Sequence, residues 1–229
     1  MKTYALIVAA GRSSRFGGAV PKQFRELCGR PLLAWTISRF EAAQSIDEIV
    51  VVVAEEHLLY ASQTVVDPYG FAKVSKIVIG GETRQESVLK GLRALPFSTQ
   101  FVAIHDGARP MVASSDIDRV VASAVKDRAA ILAAPATDTV KRVRDGFVLG
   151  TLDRDSLYLA QTPQVFQYDL ILQAHQNVIQ EAPATDDASL VESRGFKVRV
   201  VEPNSPNPKV TTPDDIQYVE TLLRKEEHE

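Results

Sequence analysis

A segment near the N-terminus combines small residues and cations in a pattern that suits phosphate binding. The apolar run from Tyr4 leads into Ala9-Ala10-Gly11, and two cations, Arg15 and Lys22, follow seven positions apart. Small residues let backbone N–H groups approach a ligand closely, and Arg and Lys supply charge for phosphate oxygens. The segment therefore predicts a triphosphate cradle. The residues alone leave open an ordinary strand-to-helix turn with surface cations.

The cradle matches neither of two common nucleotide-binding motifs. No Gly-Lys-Ser/Thr triplet follows its glycines, which excludes the Walker pattern. Gly11 is followed by Arg12-Ser13-Ser14, whereas the dinucleotide fingerprint requires Gly-x-Gly-x-x-Gly. A phosphate cradle at this segment would therefore be of a different type from both motifs.

Short β-branched runs alternate with longer amphipathic runs along the chain. The run from Ile49 to Val53 is apolar at every position, which is typical of a strand buried on both faces of a parallel sheet. The alternation predicts an α/β fold with a doubly wound, mostly parallel sheet. The predicted strands are Thr3–Ala9, Glu48–Ala54, Ser75–Ile79, Phe101–His105, Ala130–Ala134 and Lys197–Val201. The predicted helices are Pro31–Ala43, Glu55–Val66, Arg84–Leu95, Ser114–Lys126, Tyr168–Glu181 and Thr212–Lys225.

Three segments whose residues could bind a ligand follow predicted strands directly. They are the cradle after the first strand, Gly80-Gly81 after the third, and His105-Asp106 at the end of the fourth. Ligands of doubly wound sheets bind beyond the carboxyl ends of the strands. We therefore expect the three segments to meet at one edge of the sheet.

One region interrupts the alternation and reads as a β-hairpin. Residues 139–143 and 147–152 are strand-like, and Asp145-Gly146 between them is a typical hairpin turn. The hairpin has little apolar surface with which to pack on its own domain, and an isolated hairpin is only marginally stable. Two interpretations remain open, a surface hairpin and an arm that reaches a neighbouring subunit.

Composition narrows the class of protein. The 229 residues suit a single domain, and the net charge of -3 argues against a nucleic-acid binder. Cys28 is the only cysteine, which excludes an intramolecular disulfide and favours a reducing compartment. No run approaches the ~20 apolar residues that cross a bilayer. We therefore expect a cytoplasmic protein without membrane or nucleic-acid partners.

Taken together, the motifs resemble the 2-C-methyl-D-erythritol 4-phosphate cytidylyltransferase family of the non-mevalonate isoprenoid pathway. The likeness runs from about Tyr4 to Val219, and its blocks occur in the family's order. These blocks are Ala9-Ala10-Gly11 with Arg15 and Pro21-Lys22-Gln23; Gly80-Gly81-Glu82-Thr83-Arg84 with Ser87-Val88; His105-Asp106-Gly107-Ala108-Arg109-Pro110; Asp138-Thr139-Val140-Lys141; Asp153-Arg154 with Gln161-Thr162-Pro163-Gln164; Thr185-Asp186-Asp187-Ala188-Ser189; and Lys209-Val210-Thr211.

The resemblance implies a fold and an assembly. The family fold is a Rossmann-like α/β domain of the nucleotidyltransferase type, here one domain over residues 1–229, with a protruding β-arm at about 137–157. In the family, the arms of two subunits embrace in a homodimer and help to form each other's sites. The resemblance therefore favours the intersubunit interpretation of the hairpin.

The resemblance also implies a reaction and roles for particular residues. The phosphate of 2-C-methyl-D-erythritol 4-phosphate would attack the α-phosphorus of CTP and release pyrophosphate. Arg15 and Lys22 would be catalytic at the α-phosphate, while Arg154, Lys209 and Thr139 would position the phosphate of the acceptor. The residues implied to bind CTP are Ala9, Ala10, Gly11, Gly80, Gly81, Ser87, Asp106, Gly107 and Ala108.

A divalent cation is expected with CTP, most simply Mg²⁺ on the triphosphate oxygens. Magnesium usually keeps several waters and takes few protein ligands, so Asp106 is the one candidate ligand. We expect His105 to be a packed, hydrogen-bonded residue and Arg109 to bond within its loop or across a dimer. Thr185-Asp186-Asp187 reads as a Thr helix cap with acidic first-turn residues rather than as a catalytic group.

Two alternative functions remain to be distinguished. The ribitol-5-phosphate cytidylyltransferases share the fold and the chemistry, but they tend to have Ala-Gly-Gly where this chain has Ala9-Ala10-Gly11 and usually lack the Asp153-Arg154 pattern. A non-catalytic nucleotide-binding domain would bind CTP without releasing pyrophosphate, and it would need neither Arg154 nor Lys209.

Overall fold

A seven-stranded sheet forms the centre of the protein in a computed structural model that describes residues 1–11, 16, 21–177 and 184–226. Its strands lie in the order β11-β7-β10-β6-β1-β4-β5, and only β10 runs antiparallel to its neighbours. The strands of the sheet are β1 (Thr3–Val8), β4 (Glu48–Val53), β5 (Val74–Ile79), β6 (Phe101–Asp106), β7 (Ala129–Pro135), β10 (Tyr158–Gln167) and β11 (Arg199–Val201). Two short pairs lie outside it, β2 (Glu26–Leu27) with β3 (Arg30–Pro31), and β8 (Lys141–Arg144) with β9 (Phe147–Thr151). The predicted mostly parallel α/β sheet is confirmed.

Helices connect the strands and cover the sheet. They are α1 (Leu32–Ala42), α2 (Leu58–Ala61), α3 (Arg84–Ala94), α4 (Ser114–Asp127), α5 (Tyr168–Gln176), α6 (Asp187–Glu192) and α7 (Pro213–Glu226). Two large clusters of buried apolar side chains are built on alternate residues of the strands, one from Ile7 and Val51, the other from Leu6 and Val52. Because successive side chains of a strand point to opposite faces, these clusters are the two cores above and below the sheet. Among the described residues, no helix has the length and apolar character needed to cross a membrane.

Strand β10 was not among the predicted strands, and it occupies the middle of the sheet. It pairs antiparallel with both β6 and β7, and its register with β7 shifts between Ala160 and Gln164. The shift coincides with Gln161-Thr162-Pro163, where a proline interrupts the apolar pattern. A proline within a run normally argues against a central strand, which explains why the pattern concealed this one.

The six predicted helices are present with some different boundaries, and α6 (Asp187–Glu192) was not among them. The helix expected over residues 55–66 is a succession of 3-10, α and π turns that continues to Tyr69. The helix expected to reach Glu181 ends at Gln176, and residues 178–183 lie outside the described residues. Pro213 is the first residue of α7 as expected, while Asp215 accepts hydrogen bonds from the backbone N–H groups of the two preceding threonines.

The predicted hairpin is present as β8 and β9. Asp145 and Gly146 both have positive φ angles, as a type I′ turn requires. Three apolar side chains of β9 are more than half exposed, those of Phe147, Val148 and Leu149. The hairpin therefore presents apolar surface that the rest of the chain leaves uncovered.

Candidate active site

The carboxyl ends of four parallel strands are tied together by backbone hydrogen bonds. The N–H of Ala9 donates to the carbonyl oxygen of Val52 at 2.7 Å, and that of Gly107 donates to Val8 at 2.8 Å. The N–H of Gly80 donates to Val53, also at 2.8 Å. The three segments predicted to meet at one edge of the sheet are therefore neighbours.

A cleft of about 280 Å³ opens at this edge. Ten of the residues predicted to bind or react with the substrates line it, namely Ala9, Ala10, Gly11, Lys22, Gly81, Ser87, Asp106, Gly107, Ala108 and Lys209. Gly80 lies in the second layer, packed beneath Ala10 and Ser87. Arg15 lies outside the described residues, and its predicted role stays a prediction.

The loop after β5 is held in shape by the first turn of α3. The buried Ser87 hydroxyl accepts a hydrogen bond from the N–H of Gly81 at 3.0 Å and donates to the Thr83 carbonyl oxygen at 2.9 Å. Thr83 caps the helix by accepting from the N–H of Glu86. The helix thus begins at Arg84, as predicted. Hydrogen bonds to the start of α3 thus hold the loop in this conformation.

The segment before α7 brings Lys209 to the cleft. The N–H of Val210 donates to the carbonyl oxygen of Ala108 at 2.9 Å, and the Lys22 ammonium donates to the Val210 carbonyl oxygen at 2.8 Å. Asn207, almost fully buried, donates to the carbonyl oxygen of Thr162 at 2.9 Å. These bonds place two cations from distant parts of the chain on one side of the cleft.

Asp106 is the electrostatic centre of the cleft. Its Oδ1 accepts a hydrogen bond from Arg84 Nε at 3.0 Å, and its Oδ2 accepts one from Lys209 Nζ at 2.6 Å. Burial alone would raise the pKa of this carboxyl, but the two cations outweigh burial and hold the pKa well below its ordinary value. Asp106 is therefore ionised at neutral pH.

His105 is packed and hydrogen-bonded, as expected, whereas the Arg109 side chain bonds to a segment outside its own loop. Burial lowers the pKa of His105 to about 3, so the ring is neutral at physiological pH. One ring nitrogen lies 3.0 Å from the hydroxyl of Thr162, which also accepts the N–H of Asp106. Arg109 donates to the carbonyl oxygen of Asn207 at 2.6 Å, a bond within the chain. These residues shape the end of β6.

Two predicted residues do not reach the cleft within one protomer. Arg154 is more than half exposed at the base of the hairpin, where it donates to the carbonyl oxygen of Thr137 at 3.1 Å. Thr139 is also exposed, just before β8. Their roles at the acceptor phosphate stay predictions.

The prediction of a metal ion at the cleft concerns Asp106. No group of three or more His, Cys, Asp or Glu side chains that could hold a metal occurs among residues 1–11, 16, 21–177 and 184–226. Asp106 is ionised and borders the cleft, yet each of its oxygens already has a cationic partner. A Mg²⁺ held mainly by phosphate oxygens and water, with Asp106 as its one candidate protein ligand, stays a prediction.

Sequence reasoning assigned no binding or catalytic role to Arg84, and for Asp187 only a place in the first turn of a helix. Arg84 lines the cleft and bridges Asp106 to Asp187, whose side chain is 2% exposed. The helix cap of α6 is Asp186 rather than Thr185, since its side chain accepts from Ser189 N–H. The presence of Arg84 and Asp187 in family-like motifs was the one available signal.

These observations agree with the comparison to known families. The model of the 2-C-methyl-D-erythritol 4-phosphate cytidylyltransferase family matches residues 3–225. The chain belongs to the 2-C-methyl-D-erythritol 4-phosphate cytidylyltransferase family. A member from Pelotomaculum thermopropionicum is 45% identical over 225 residues, which are 97% of this chain and 94% of that protein. A member from Geotalea uraniireducens is 43% identical over 227 residues, which are 98% of this chain and 97% of that protein.

Solved structures of cytidylyltransferases have the same fold. The 4-diphosphocytidyl-2C-methyl-D-erythritol synthase of Anaerococcus prevotii superposes with a TM-score of 0.85 at 30% identity, over 97% of this chain and 98% of that one. The 2-C-methyl-D-erythritol 4-phosphate cytidylyltransferase of Thermus thermophilus superposes with a TM-score of 0.77 at 34% identity, over 98% of this chain and 100% of that one. The predicted nucleotidyltransferase-type fold is confirmed.

Proposed function

We propose that this protein transfers the cytidylyl group of CTP to 2-C-methyl-D-erythritol 4-phosphate and releases pyrophosphate. The observation that carries the proposal is the meeting of Lys22 and Lys209 with the small residues 9–11 and the Gly81 loop in one cleft. Membership of the cytidylyltransferase family supports the choice of both substrates. The two substrates carry a triphosphate and a phosphate monoester, which is why the site is built from cations.

The proposed reaction needs no protein nucleophile. An oxygen of the acceptor phosphate forms a bond to the α-phosphorus of CTP, and the bond from that phosphorus to the leaving pyrophosphate breaks. The attacking phosphate is largely ionised at pH 7, since its second pKa is about 6. The protein must then bring two anions together and stabilise the charge that develops between them.

The cations divide this work between the two substrates. Lys22 acts at the α-phosphate, with Arg15 as its expected companion, and the backbone of Ala9-Ala10-Gly11 faces the triphosphate. Lys209 holds the phosphate of the acceptor together with Arg154, whose fork can bind a phosphate through two hydrogen bonds. Gly81 and Ser87 present a loop edge to the cytosine.

Mg²⁺ is the proposed companion of CTP. When bound, it would neutralise part of the triphosphate charge and so ease the departure of pyrophosphate. Asp106, which is ionised and borders the cleft, is its candidate protein ligand. The single Cys28 and the net charge of -3 support a cytoplasmic enzyme that binds no nucleic acid.

We also propose that the active protein is a homodimer whose hairpin arms complete each other's sites. The exposed apolar side chains of β9 and the position of Arg154 outside the cleft support this arrangement. A mixing experiment tests it, using Lys22→Ala and Arg154→Ala proteins that are each inactive. In a mixed dimer, one site carries both substitutions and the other carries neither. Reassociated protein should recover about a quarter of wild-type activity if half the dimers are mixed. No recovery after confirmed exchange would contradict shared sites.

The reaction itself is tested by measuring pyrophosphate release with CTP and Mg²⁺. Methylerythritol phosphate and ribitol phosphate are offered in parallel, and a sample without acceptor is the control. We expect pyrophosphate release in the sample with methylerythritol phosphate and in neither of the other two. A preference for ribitol phosphate would favour the sister family, whereas CTP binding without release from either acceptor would favour a non-catalytic nucleotide-binding domain.

A further inference from the structure

A chain of hydrogen-bonded polar side chains runs from the protein interior to the cleft. His175 Nε2 lies 3.1 Å from Asp187 Oδ1, and Asp187 Oδ2 accepts from Arg84 Nη2 at 2.8 Å. Arg84 Nε donates to Asp106 Oδ1, and Asp106 Oδ2 accepts from Lys209 Nζ. Each carboxylate oxygen thus has its own partner, and the chain ends on the cation assigned to the acceptor phosphate.

The guanidinium of Arg84 divides its fork between two carboxylates. Nε and Nη2 lie on the same edge of the group, the edge that binds a single carboxylate through two parallel hydrogen bonds. Here Nε contacts Asp106 and Nη2 contacts Asp187. Asp106 therefore gives only one oxygen to Arg84, and its other oxygen holds Lys209.

Asp187 is itself held in place by the start of α6. Gln164 donates from Nε2 to Asp186 at 2.8 Å and accepts the N–H of Ala188 at 2.9 Å. Asp186 caps the helix through the N–H of Ser189 at 3.0 Å. The Asp187 carboxylate thus projects from an anchored turn, and it is not among the described residues that line the cleft.

Asp187 is charged where it lies. Burial alone would raise the pKa of its carboxyl, but Arg84 and the hydrogen bond from His175 outweigh burial and lower the pKa. An ionised carboxylate competes strongly for one arm of the Arg84 fork, whereas a neutral amide competes weakly. Without that competition, both arms of the fork can close on Asp106.

We propose that Asp187 is a positioning residue, which splits the fork of Arg84 so that Asp106 keeps one oxygen for Lys209. The inference rests on the proposed function, because it assumes that Lys209 binds the acceptor phosphate. Asp187 touches neither substrate and acts through Arg84 and Asp106. Its loss should therefore resemble a weakened Lys209 rather than a damaged nucleotide site.

The test is a double-mutant cycle in steady-state kinetics, with CTP and methylerythritol phosphate varied separately. Asp187→Asn should raise the KM for methylerythritol phosphate on the order of tenfold, as expected when one charge-assisted hydrogen bond to a phosphate is weakened. The KM for CTP should stay within about twofold of wild type. In a Lys209→Gln background, Asp187→Asn should add little to the KM for the acceptor, because the residue through which it acts is gone.

His175→Gln is the matched control, because His175 contacts the oxygen of Asp187 that faces away from Arg84. We expect it to lower the thermal midpoint without raising the KM for the acceptor. If Asp187→Asn does not fold, Arg84→Lys takes its place in the cycle, since a lysine keeps the charge but has no fork.

The outcomes separate this inference from the function on which it rests. Equal effects of Asp187→Asn with and without Lys209, or a parallel rise in both KM values, would overturn the positioning role alone. If Lys209→Gln leaves the KM for the acceptor unchanged, the assignment of Lys209 fails and the inference falls with it. Absence of pyrophosphate release from the wild-type protein would refute the proposed reaction.

Discussion

Gly80 packs tightly against residues of both the core and the proposed nucleotide site. The substitution Gly80→Ala should therefore affect both stability and CTP binding. A Cβ atom at this position would lie 2.5 Å from Cβ of Ala10, 2.8 Å from Oγ of Ser87 and 3.2 Å from Cγ1 of Val52. The first two distances are shorter than real Cβ contacts. The side chain of Ala10 is a single methyl group, which has no other rotamer in which to avoid the contact. The backbone of the cradle or of the loop must therefore shift.

The expected cost of Gly80→Ala is that of overpacking a buried position, about 1–3 kcal/mol of unfolding free energy. For a chain of this length, each kcal/mol corresponds to roughly 2–4 °C in the thermal midpoint. The strain also reaches Ser87, whose hydroxyl holds the N–H of Gly81. We therefore expect weaker CTP binding in addition to lower stability.

The assay combines thermal unfolding with calorimetric titration of CTP, and Gly11→Ala is the contrasting variant. A Cβ at Gly11 meets no atom of the described residues within 4 Å, and its φ angle lies outside the positive range, so the stability should stay at the wild-type value. Gly11 lines the cleft, however, and an added methyl group there should still weaken CTP binding. An unchanged thermal midpoint for Gly80→Ala would refute the steric reasoning.

Three further predictions concern the charges. Lys22→Ala should lower kcat by roughly 10²-fold or more while changing the Kd for CTP far less, because its charge matters most in the transition state; near-normal turnover would contradict its role. Asp215→Asn should cost about 1–2 kcal/mol at pH 7, since hydrogen bonds from residues 211–212 lower the carboxyl pKa to about 2 despite partial burial. This stability is present above about pH 4 and is lost as the pH falls through 2. In urea titrations, the wild type and Asp215→Asn should therefore differ at pH 7 and have nearly equal stabilities at pH 2, whereas exposed Asp214→Asn should show little effect at either pH. EDTA should abolish pyrophosphate release, restorably by Mg²⁺, without shifting the thermal midpoint of the ligand-free protein; a lower midpoint would indicate a structural metal.

The edge of the sheet where the site forms was predictable because local patterns determine it. The apolar run Ile49–Val53 identifies a doubly buried strand, and the ends of β1, β5 and β6 carry the glycines and polar residues that meet there. Parallel strands place such ends together whatever the details of packing. The hairpin was equally accessible, because Asp145-Gly146 specifies its turn.

Strand β10 was missed because its local sequence disfavours a strand, and a contact with a distant residue compensates for this in the fold. Its middle contains Thr162-Pro163, a sequence that on its own disfavours a central strand. In the fold, the hydroxyl of Thr162 accepts the N–H of Asp106, so a polar side chain compensates where the ladder is irregular. A bond between residues 56 positions apart leaves no periodic trace in the sequence.

By itself, the sequence determined the α/β class, the edge at which the ligands bind, the hairpin and the family, because each depends on short patterns or on motifs in a recognisable order. Only the tertiary structure decided how the charges of the site are paired. The partners of Asp106 lie 22 and 103 positions away, and Asp187 lies 103 positions from Arg84. The strength and geometry of an ion pair depend on distance in space and on burial, and neither can be read from spacing along the chain. That is why Arg84 and Asp187 first acquire roles in the folded protein.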